Sequence, residues 1–296
     1  MAIQTQVWMK NNELALAETV ASEAASEASE VQHEVTLYPE PIAHFGSFVV
    51  TNSLLNSWLA VVVIIVLSWA VGRKVSRVPS RMQALVETVV EGAMKLADSV
   101  TGARSKTLKV FPFIFALFLF VLVNNWLGLI PGVGSIGFIE MIEGHKVFVP
   151  LFRGATADFN TTLALAIMSV VGSNIFGVIV VGAWKYFNKF VQVKELVAIP
   201  GEIIKNPTII FVNPIKFFVG LIEIVGEIAK TASLSFRLFG NIFAGEVLLT
   251  SIAVIFAFGL PIPFMFLEVI VGIIQALIFA MLTLVYFTVA ATAEEH

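Results

Sequence analysis

Five charged residues lie within one long apolar stretch near the end of the chain, and their types could do chemistry there. The stretch runs over residues 213–258; besides Lys216 at its beginning, it contains Glu223, Glu227, Lys230, Arg237 and Glu246. On insertion scales, one charge at the centre of a membrane helix costs about 2.5–3.5 kcal/mol. Such charges are tolerated only beside partners or water, so the stretch indicates either buried ion pairs or a hydrated path.

Arg237 is the charge that most needs a partner from elsewhere. The positions three and four residues away on a helix are Ser233, Leu234, Gly240 and Asn241, and none of them is anionic. Because a guanidinium is not deprotonated in proteins, Arg237 must meet an anion on another element or on another subunit. A structural pair with an acid of the following helix is the alternative.

Helical geometry sorts the other polar groups of the same stretch. At about 100° per residue, Asn241 lies about 40° from Arg237, whereas Glu246 lies about 180° away and is expected to face elsewhere. Glu227 and Lys230 are three residues apart and are expected to pair. Together with Glu223, this pair is typical of a charged helix end near the membrane interface.

A second polar stripe follows on the next apolar segment. Glu268, Gln275 and Tyr286 fall within about 40° of one helical face. A polar stripe on a membrane helix is typical of the lining of a hydrated path, although hydrogen-bonded core residues show the same pattern.

Composition places these helices in a membrane. The chain has 296 residues, of which 58% are hydrophobic and only 13% charged, and its mean hydropathy is +0.91. A soluble domain carries about 25% charged residues, so the solvent of this chain must be partly lipid. There is no cysteine and the four histidines are scattered, which argues against a metal site. Phosphate-loop and nucleophile-elbow motifs are absent, and no cofactor is expected.

The hydropathy pattern predicts an all-α integral membrane protein with five membrane crossings plus a surface amphipathic helix. A crossing needs about 20 apolar residues. The segments expected to cross are 54–72, 110–130, 161–184, 213–258 and 264–290, and the amphipathic helix is 82–100. As a helix, 213–258 would be roughly 70 Å long at about 1.5 Å per residue. No proline interrupts residues 215–260, so we expect the last two helices to be long and strongly tilted rather than broken.

Two regions and an orientation follow from the distribution of polar residues. Residues 1–50 form a polar, acidic N-terminal tail that is expected to be solvated, and residues 51–296 form a single membrane domain. Residues 73–109 hold eight Lys or Arg, and residues 185–216 hold five more. Basic residues concentrate in cytoplasmic loops, which predicts an extracytoplasmic N-terminus and a cytoplasmic C-terminus.

The segment SLSFRLFGNIFAGE, residues 233–246, closely resembles subunit a of F-type ATP synthases. The R-L-F-G-N core followed by Ala-Gly-Glu is highly specific to that family. The segment PFIFALFLFVLVNNWLGLIPG and the Asp158–Asn160 region also look like the family, and the likeness extends over residues 40–293.

The resemblance implies a role for each polar residue of the last two helices. Arg237 corresponds to an essential arginine that faces a rotating ring, with Asn241 and Gln275 as its polar neighbours. Some members of the family have histidine at the position of Glu268. This difference affects the detailed order of proton transfer between residues, but not the expected role of Glu268 in the proton path. The proton-path residues are expected to be Glu246, Glu268, Gln275, Asn241 and Tyr286, and the supporting charges Glu223 and Lys230.

The function implied is that of a proton-channel stator subunit, which is non-catalytic for ATP itself. Expected partners are a c-ring of small hairpin subunits, the peripheral-stalk b subunits, membrane lipid and protons, with no nucleic acid. Two half-channels would couple proton flow to ring rotation in a bacterial inner (plasma) membrane. Sodium is the alternative coupling ion. A secondary transporter commonly shows internal repeats, and a passive channel would want a ring of like charges; this sequence shows neither feature.

Overall fold

The computed structural model describes residues 39–46, 48–73, 76, 79–142, 145–190, 209–256 and 259–292. Within these residues, five helices are long and apolar enough to cross a membrane, which confirms the predicted all-α membrane fold. The helices are α1 (Asn52–Gly72), α2 (Arg81–Thr101), α3 (Arg104–Leu129), α4 (Phe159–Val181), α5 (Ala183–Phe190), α6 (Ile209–Ile255) and α7 (Pro261–Thr292).

Helix α6 is continuous over 47 residues, so it does not break inside the bilayer. At about 1.5 Å per residue it is roughly 70 Å long, more than twice the ~30 Å hydrocarbon core. A continuous helix of this length must tilt strongly or extend well beyond the core. Gly259, with φ 90°, and Pro261 then reverse the chain into α7.

Helix α7 lies at the centre of the bundle and packs against α3, α4 and α6. Helix α1 packs on α3 at the edge, and α2 packs on both α3 and α7. The largest apolar core joins α3, α4, α6 and α7. Its buried members are Leu117, Val121, Leu165, Ala166, Leu234, Leu238, Ala276 and Phe279.

Two short antiparallel hairpins lie at one end of the bundle, which we name the hairpin side. The strands are β1 (Pro41–Phe45), β2 (Phe48–Thr51), β3 (Gly137–Ile142) and β4 (His145–Pro150). The opposite end, where α2 and α5 lie, is the basic side. The first hairpin differs from the expected solvated tail over residues 1–50, because residues 41–51 are rich in the β-branched and aromatic residues that favour strands. Residues 1–38 lie outside the described residues.

Local capping signals fix the helix ends on each side. The Thr51 hydroxyl accepts a hydrogen bond from the Leu54 N–H at 3.3 Å and begins α1. Asp158 begins α4 by accepting bonds from the Asn160 N–H and the buried Ser53 hydroxyl, at 3.0 and 3.1 Å. Gly102, with φ 72°, ends α2 in the left-handed conformation that glycine adopts at little cost. These caps define where the loops of the two sides begin.

Candidate functional site

A cleft of about 240 Å³ opens at the hairpin side between the ends of α3, α6 and α7. Three carboxylates line it: Glu246 from α6, Glu268 from α7 and Glu40 from the segment before β1. Arg153 and Asn125 line it as well. The cleft is therefore a polar space at one end of an apolar bundle, where water and protons can be accommodated.

Glu246 forms a bidentate ion pair with Arg153 across the cleft. The Arg153 Nε and Nη2 atoms each donate to Glu246 Oε2, at 3.3 and 3.1 Å, and Nε also lies 3.1 Å from Oε1. The Arg153 side chain is 5% exposed, whereas that of Glu246 is 32% exposed. Sequence reasoning gave Arg153 no role, because 93 positions separate the two residues. The available signal in the sequence was the position of Arg153, a single arginine shortly before the apolar segment 161–184.

Glu268 lies deeper and packs directly against the backbone of α6. Its residue is 8% exposed, and its carboxylate occupies the space that a side chain at Gly245 would fill. Within the described residues it makes no hydrogen bond or ion pair. Its carboxylate therefore borders the cleft without an ion pair among these residues. Among the same residues, no three acidic or histidine side chains converge closely enough to hold a metal ion.

Asn125 fixes the junction between α3 and α7 beside this carboxylate. Its Nδ2 donates to the Gly272 carbonyl at 3.0 Å, and its Oδ1 accepts from the Thr156 hydroxyl at 2.6 Å. Both polar side chains are buried, and Asn125 also contributes to the cleft wall. The asparagine thus joins helices, as its position on an apolar helix suggests, and it also borders the polar space.

Arg237 lies nine positions before Glu246 on α6, about 13 Å along the axis, and its side chain is exposed on the outer face of the chain. Leu234 and Leu238 are each 1% exposed and turn into the core on the other side of the helix. Within the described ranges Arg237 has no hydrogen bond and no ion pair. The structural pair with an acid of the following helix is therefore absent, and the guanidinium points away from the bundle.

Small residues flank Arg237 along the same exposed face. Ser233, Gly240 and Ala244 are all exposed, and they lie four positions before, three after and seven after Arg237. A side chain at Gly240 would meet no atom of this chain within 4 Å. Small residues let another helix approach closely in a membrane, so this face is shaped for contact with a partner helix.

Asn241 lies between Arg237 and Glu246 along α6, Gln275 lies on α7, and both are half-buried. The Nδ2 atom of Asn241 is buried and has no hydrogen-bond partner among the described residues. Neither residue contacts Arg237 through a hydrogen bond in this part of the chain. Asn241 thus lies about one turn from Arg237 on α6 and Gln275 lies on α7, and neither is joined to the arginine among the described residues.

A second polar cluster lies toward the basic side. Lys230 Nζ is 2.6 Å from Glu227 Oε1, which is the pair that the spacing predicts. Glu227 Oε2 also accepts a bond from Asn174 Nδ2 at 3.2 Å, and Lys230 lies 5.5 Å from the centre of the Tyr286 ring. Glu223 is half-buried about one turn before Glu227. Tyr286 thus belongs to the end of α7 opposite Glu268, so the predicted stripe runs between two separate polar regions.

The apolar core separates the cleft from the basic-side cluster. Its buried leucines and phenylalanine lie on α3, α4, α6 and α7, at the level of Arg237. Buried hydroxyl groups of Thr162, Ser235 and Thr283 also lie on these helices, and each is hydrogen-bonded within the chain. Within the described residues, mainly apolar side chains therefore lie between the cleft and the basic-side cluster, and Arg237 is on the outer face.

Comparison with known proteins gives a consistent match over most of the chain. The sequence profile of the family described as ATP synthase A chain matches residues 54–288. ATP synthase subunit a of Syntrophobacter fumaroxidans is 34% identical over 262 residues, which cover 87% of this chain and 90% of the relative. Subunit a of Mycobacterium leprae is 31% identical over 286 residues, covering 95% and 99%. Subunit a of Legionella pneumophila is 28% identical over 260 residues, covering 86% and 94%.

The match includes the α6 segment that carries Arg237 and Glu246 and the α7 segment that carries Glu268. It also spans the four helices that form the apolar core. The chain therefore belongs to the ATP synthase A chain family, the subunit a of F-type ATP synthases.

Proposed function

We propose that this chain supplies two half-channels and an essential arginine that couple proton flow to rotation of a ring of small subunits. The chain belongs to the proton-translocating stator of the membrane sector, as its family does. The observation that carries the finer proposal is Arg237, which is exposed and has no ion pair within the described residues, at the level of an apolar core that separates two polar regions. Protons that cannot cross inside the chain must cross on a partner at this face.

The chemistry of a guanidinium explains how such a face would work. A carboxylate of the ring passing Arg237 is favoured in its ionised form and releases its proton. Away from the arginine, the same carboxylate can face lipid only when it is neutral, because a bare charge there is costly. Since Arg237 does not give up its own proton, it also prevents direct transfer between the two polar regions.

The two polar regions are the half-channels of this proposal. On the hairpin side, Glu268 exchanges protons with cleft water, and Arg153 holds Glu246 in the wall. On the basic side, Glu223, Lys230 and Tyr286 line the other path, beside the Asn174–Glu227 hydrogen bond. Asn241 and Gln275 position the space nearest the arginine. Each proton falling through about 100 mV releases about 2.3 kcal/mol.

The orientation in the membrane follows from the basic residues. The relatives are bacterial, and the chain has five apolar helices, so it is a multi-pass inner-membrane protein. We place the basic side in the cytoplasm because residues 73–109 hold eight Lys or Arg. The hairpin side then faces the exterior, where the cleft admits protons during ATP synthesis.

Substitution of Arg237 by alanine tests the proposal. We expect Arg237→Ala to abolish ATP-driven proton pumping in inverted membrane vesicles, because no cation remains to release the ring proton. The subunit should still assemble, since Arg237 makes no hydrogen bond within the described residues. Arg81→Ala is the matched control, because Arg81 is exposed on the amphipathic helix α2. ATP-driven acidification by assembled Arg237→Ala complexes at the control rate would refute the proposed role.

A further inference from the structure

Glu40 lies at the wall of the hairpin-side cleft and is bonded to Asn52 at the start of α1. The Asn52 backbone N–H donates to the Glu40 carbonyl at 3.1 Å, and the Glu40 N–H donates to Asn52 Oδ1 at 3.3 Å. Asn52 Nδ2 donates to Glu40 Oε2 at 3.2 Å. Three hydrogen bonds therefore join Glu40 to Asn52, two through the Glu40 main chain and one through its carboxylate.

Asn52 also ties this segment to the second hairpin. Its Nδ2 atom lies 3.4 Å from the carbonyl of Pro150, the last residue of β4, and Pro150 lines the same cleft as Glu40. Asn52 is 0% exposed, so the amide is a buried anchor between two loops. The segment before β1 is thus part of the cleft wall.

The position of Glu40 differs from that of the other two carboxylates. Glu246 and Glu268 belong to membrane helices, whereas Glu40 precedes β1 and lies outside the helices that can span the membrane. Glu40 therefore brings a third carboxylate to the loop end of the cleft, where acidic groups raise the local concentration of cations.

We propose that Glu40 is a proton-relay carboxylate at the outer mouth of the hairpin-side cleft. It takes a proton from a hydronium ion on the solvent side, leaving water, and gives that proton to a water molecule on the cleft side. The carboxylate ends unchanged, and no other reactant is needed. This inference rests on the proposed half-channel and adds to it a group from the segment outside the membrane domain.

The chain contains no cysteine, which permits a direct chemical test. Glu40→Cys is introduced into the full complex, from which accessible cysteines of other subunits have been removed. Passive proton conductance is then measured in vesicles stripped of the soluble ATPase sector. We expect conductance to fall roughly tenfold, because the acidic group is lost. Carboxymethylation of the thiol with iodoacetate should restore most of it, and a cationic methanethiosulfonate reagent should lower it further.

Phe48→Cys on β2 is the matched control, because Phe48 is 55% exposed on the adjacent hairpin and does not line the cleft. Neither reagent should change its conductance. A merely structural role of Glu40 would not give rescue by a restored carboxylate together with inhibition by a cation. Conductance of Glu40→Cys equal to that of the parent, or no rescue after complete carboxymethylation, would overturn the inference.

Arg237→Ala in the same membranes separates this inference from the proposed function. If Arg237→Ala loses ATP-driven pumping while the Glu40 variants conduct like the parent, only the role of Glu40 fails. If Arg237→Ala pumps at the parental rate, the half-channel proposal fails, and the relay role of Glu40 that rests on it fails too.

Discussion

The carboxylate of Glu268 can occupy its place only because residue 245 has no side chain. A Cβ atom at Gly245 would lie closer to the Glu268 carboxyl group than non-bonded atoms approach. In the wall of the same cleft, Arg153 holds Glu246 through a bidentate ion pair. Glu268 therefore takes its position because Gly245 leaves space beside it, whereas Glu246 is held by Arg153. Both carboxylates line the same cleft.

Gly245→Ala should displace Glu268 and slow proton flow. We expect ATP-driven pumping to fall by roughly 10- to 100-fold, because a shift of about 1 Å at a reacting group has effects of that size. The shorter side chain of Glu268→Asp should restore part of the rate in the double variant. The control is Gly92→Ala on α2, where an added Cβ meets nothing within 4 Å. Normal pumping by Gly245→Ala would show that the position of Glu268 is unimportant.

The long-range contacts of these residues could not be predicted from sequence. The Arg237 surroundings were predictable, because they depend on neighbours three and four residues away on one helix. The partner of Glu246 was not, since Arg153 belongs to a loop before another helix and only packing brings the two together. The expectation that Glu246 faces away from Arg237 is consistent with its place in the cleft wall.

At the scale of elements, the short helix α5 closes the basic side of the bundle through Tyr186. Its hydroxyl donates a hydrogen bond to Asn174 Oδ1 of α4, whose amide nitrogen bonds Glu227 of α6. Gly177 of α4 leaves room for the ring of Tyr186. Burial, followed by the charges of Glu227 and Glu223, raises the pKa of Tyr186 to about 12. The hydroxyl is therefore protonated, and able to donate, throughout the physiological range.

The ionisation of Tyr186 gives a test of this contact. Because the pKa of Tyr186 is higher in the folded chain than its usual value of 10.0, its contribution to stability is complete below pH 10. That contribution is lost as the pH rises through about 12. In the purified subunit, the parent chain should show a tyrosinate absorbance step near pH 12, and Tyr186→Phe should remove it. Persistence of the step in Tyr186→Phe would contradict the assignment.

The apolar segments of the sequence predicted the membrane helices well. They did not predict the two hairpins. Hydropathy extends over about 20 residues and depends on no distant partner, so α1, α3 and α4 begin and end within about six residues of expectation. The hairpins depend on strand pairing instead. The first of them, together with Glu40, belongs to a region that composition assigned to a solvated tail, because the acidic residues before it dominate the average.

At the scale of the whole molecule, one surface of α6 has the composition that the proposed contact with a rotating ring requires. The face combines Arg237 with the small exposed residues Ser233, Gly240 and Ala244. A partner that slides past this face would meet one fixed charge and no bulky side chain at these positions. A lipid-facing surface would instead carry large apolar residues, as α1 does at Val62 and Ile65.

Cross-linking should locate the ring on this face. We expect Ala244→Cys to form an oxidative cross-link with a cysteine placed near the ring carboxylate, because Ala244 is exposed on the stripe of Arg237. Val62→Cys on α1 is the control, since Val62 is 55% exposed on a helix that packs against α3 at the edge of the bundle. The measurement is the yield of cross-linked product in native membranes. Equal yields from both positions, or a product from Val62→Cys alone, would place the ring elsewhere.

The apolar core between the cleft and the basic-side cluster also bears on how the complex is built. Leu234, Leu238 and Phe279 lie between the two polar regions, and Arg237 is exposed among the described residues. Under the proposed half-channel mechanism, we expect a newly inserted copy without its ring to give protons no continuous aqueous route. The cell would then be able to add this subunit to an energised membrane in any order relative to the ring without discharging it, because conduction would require assembly.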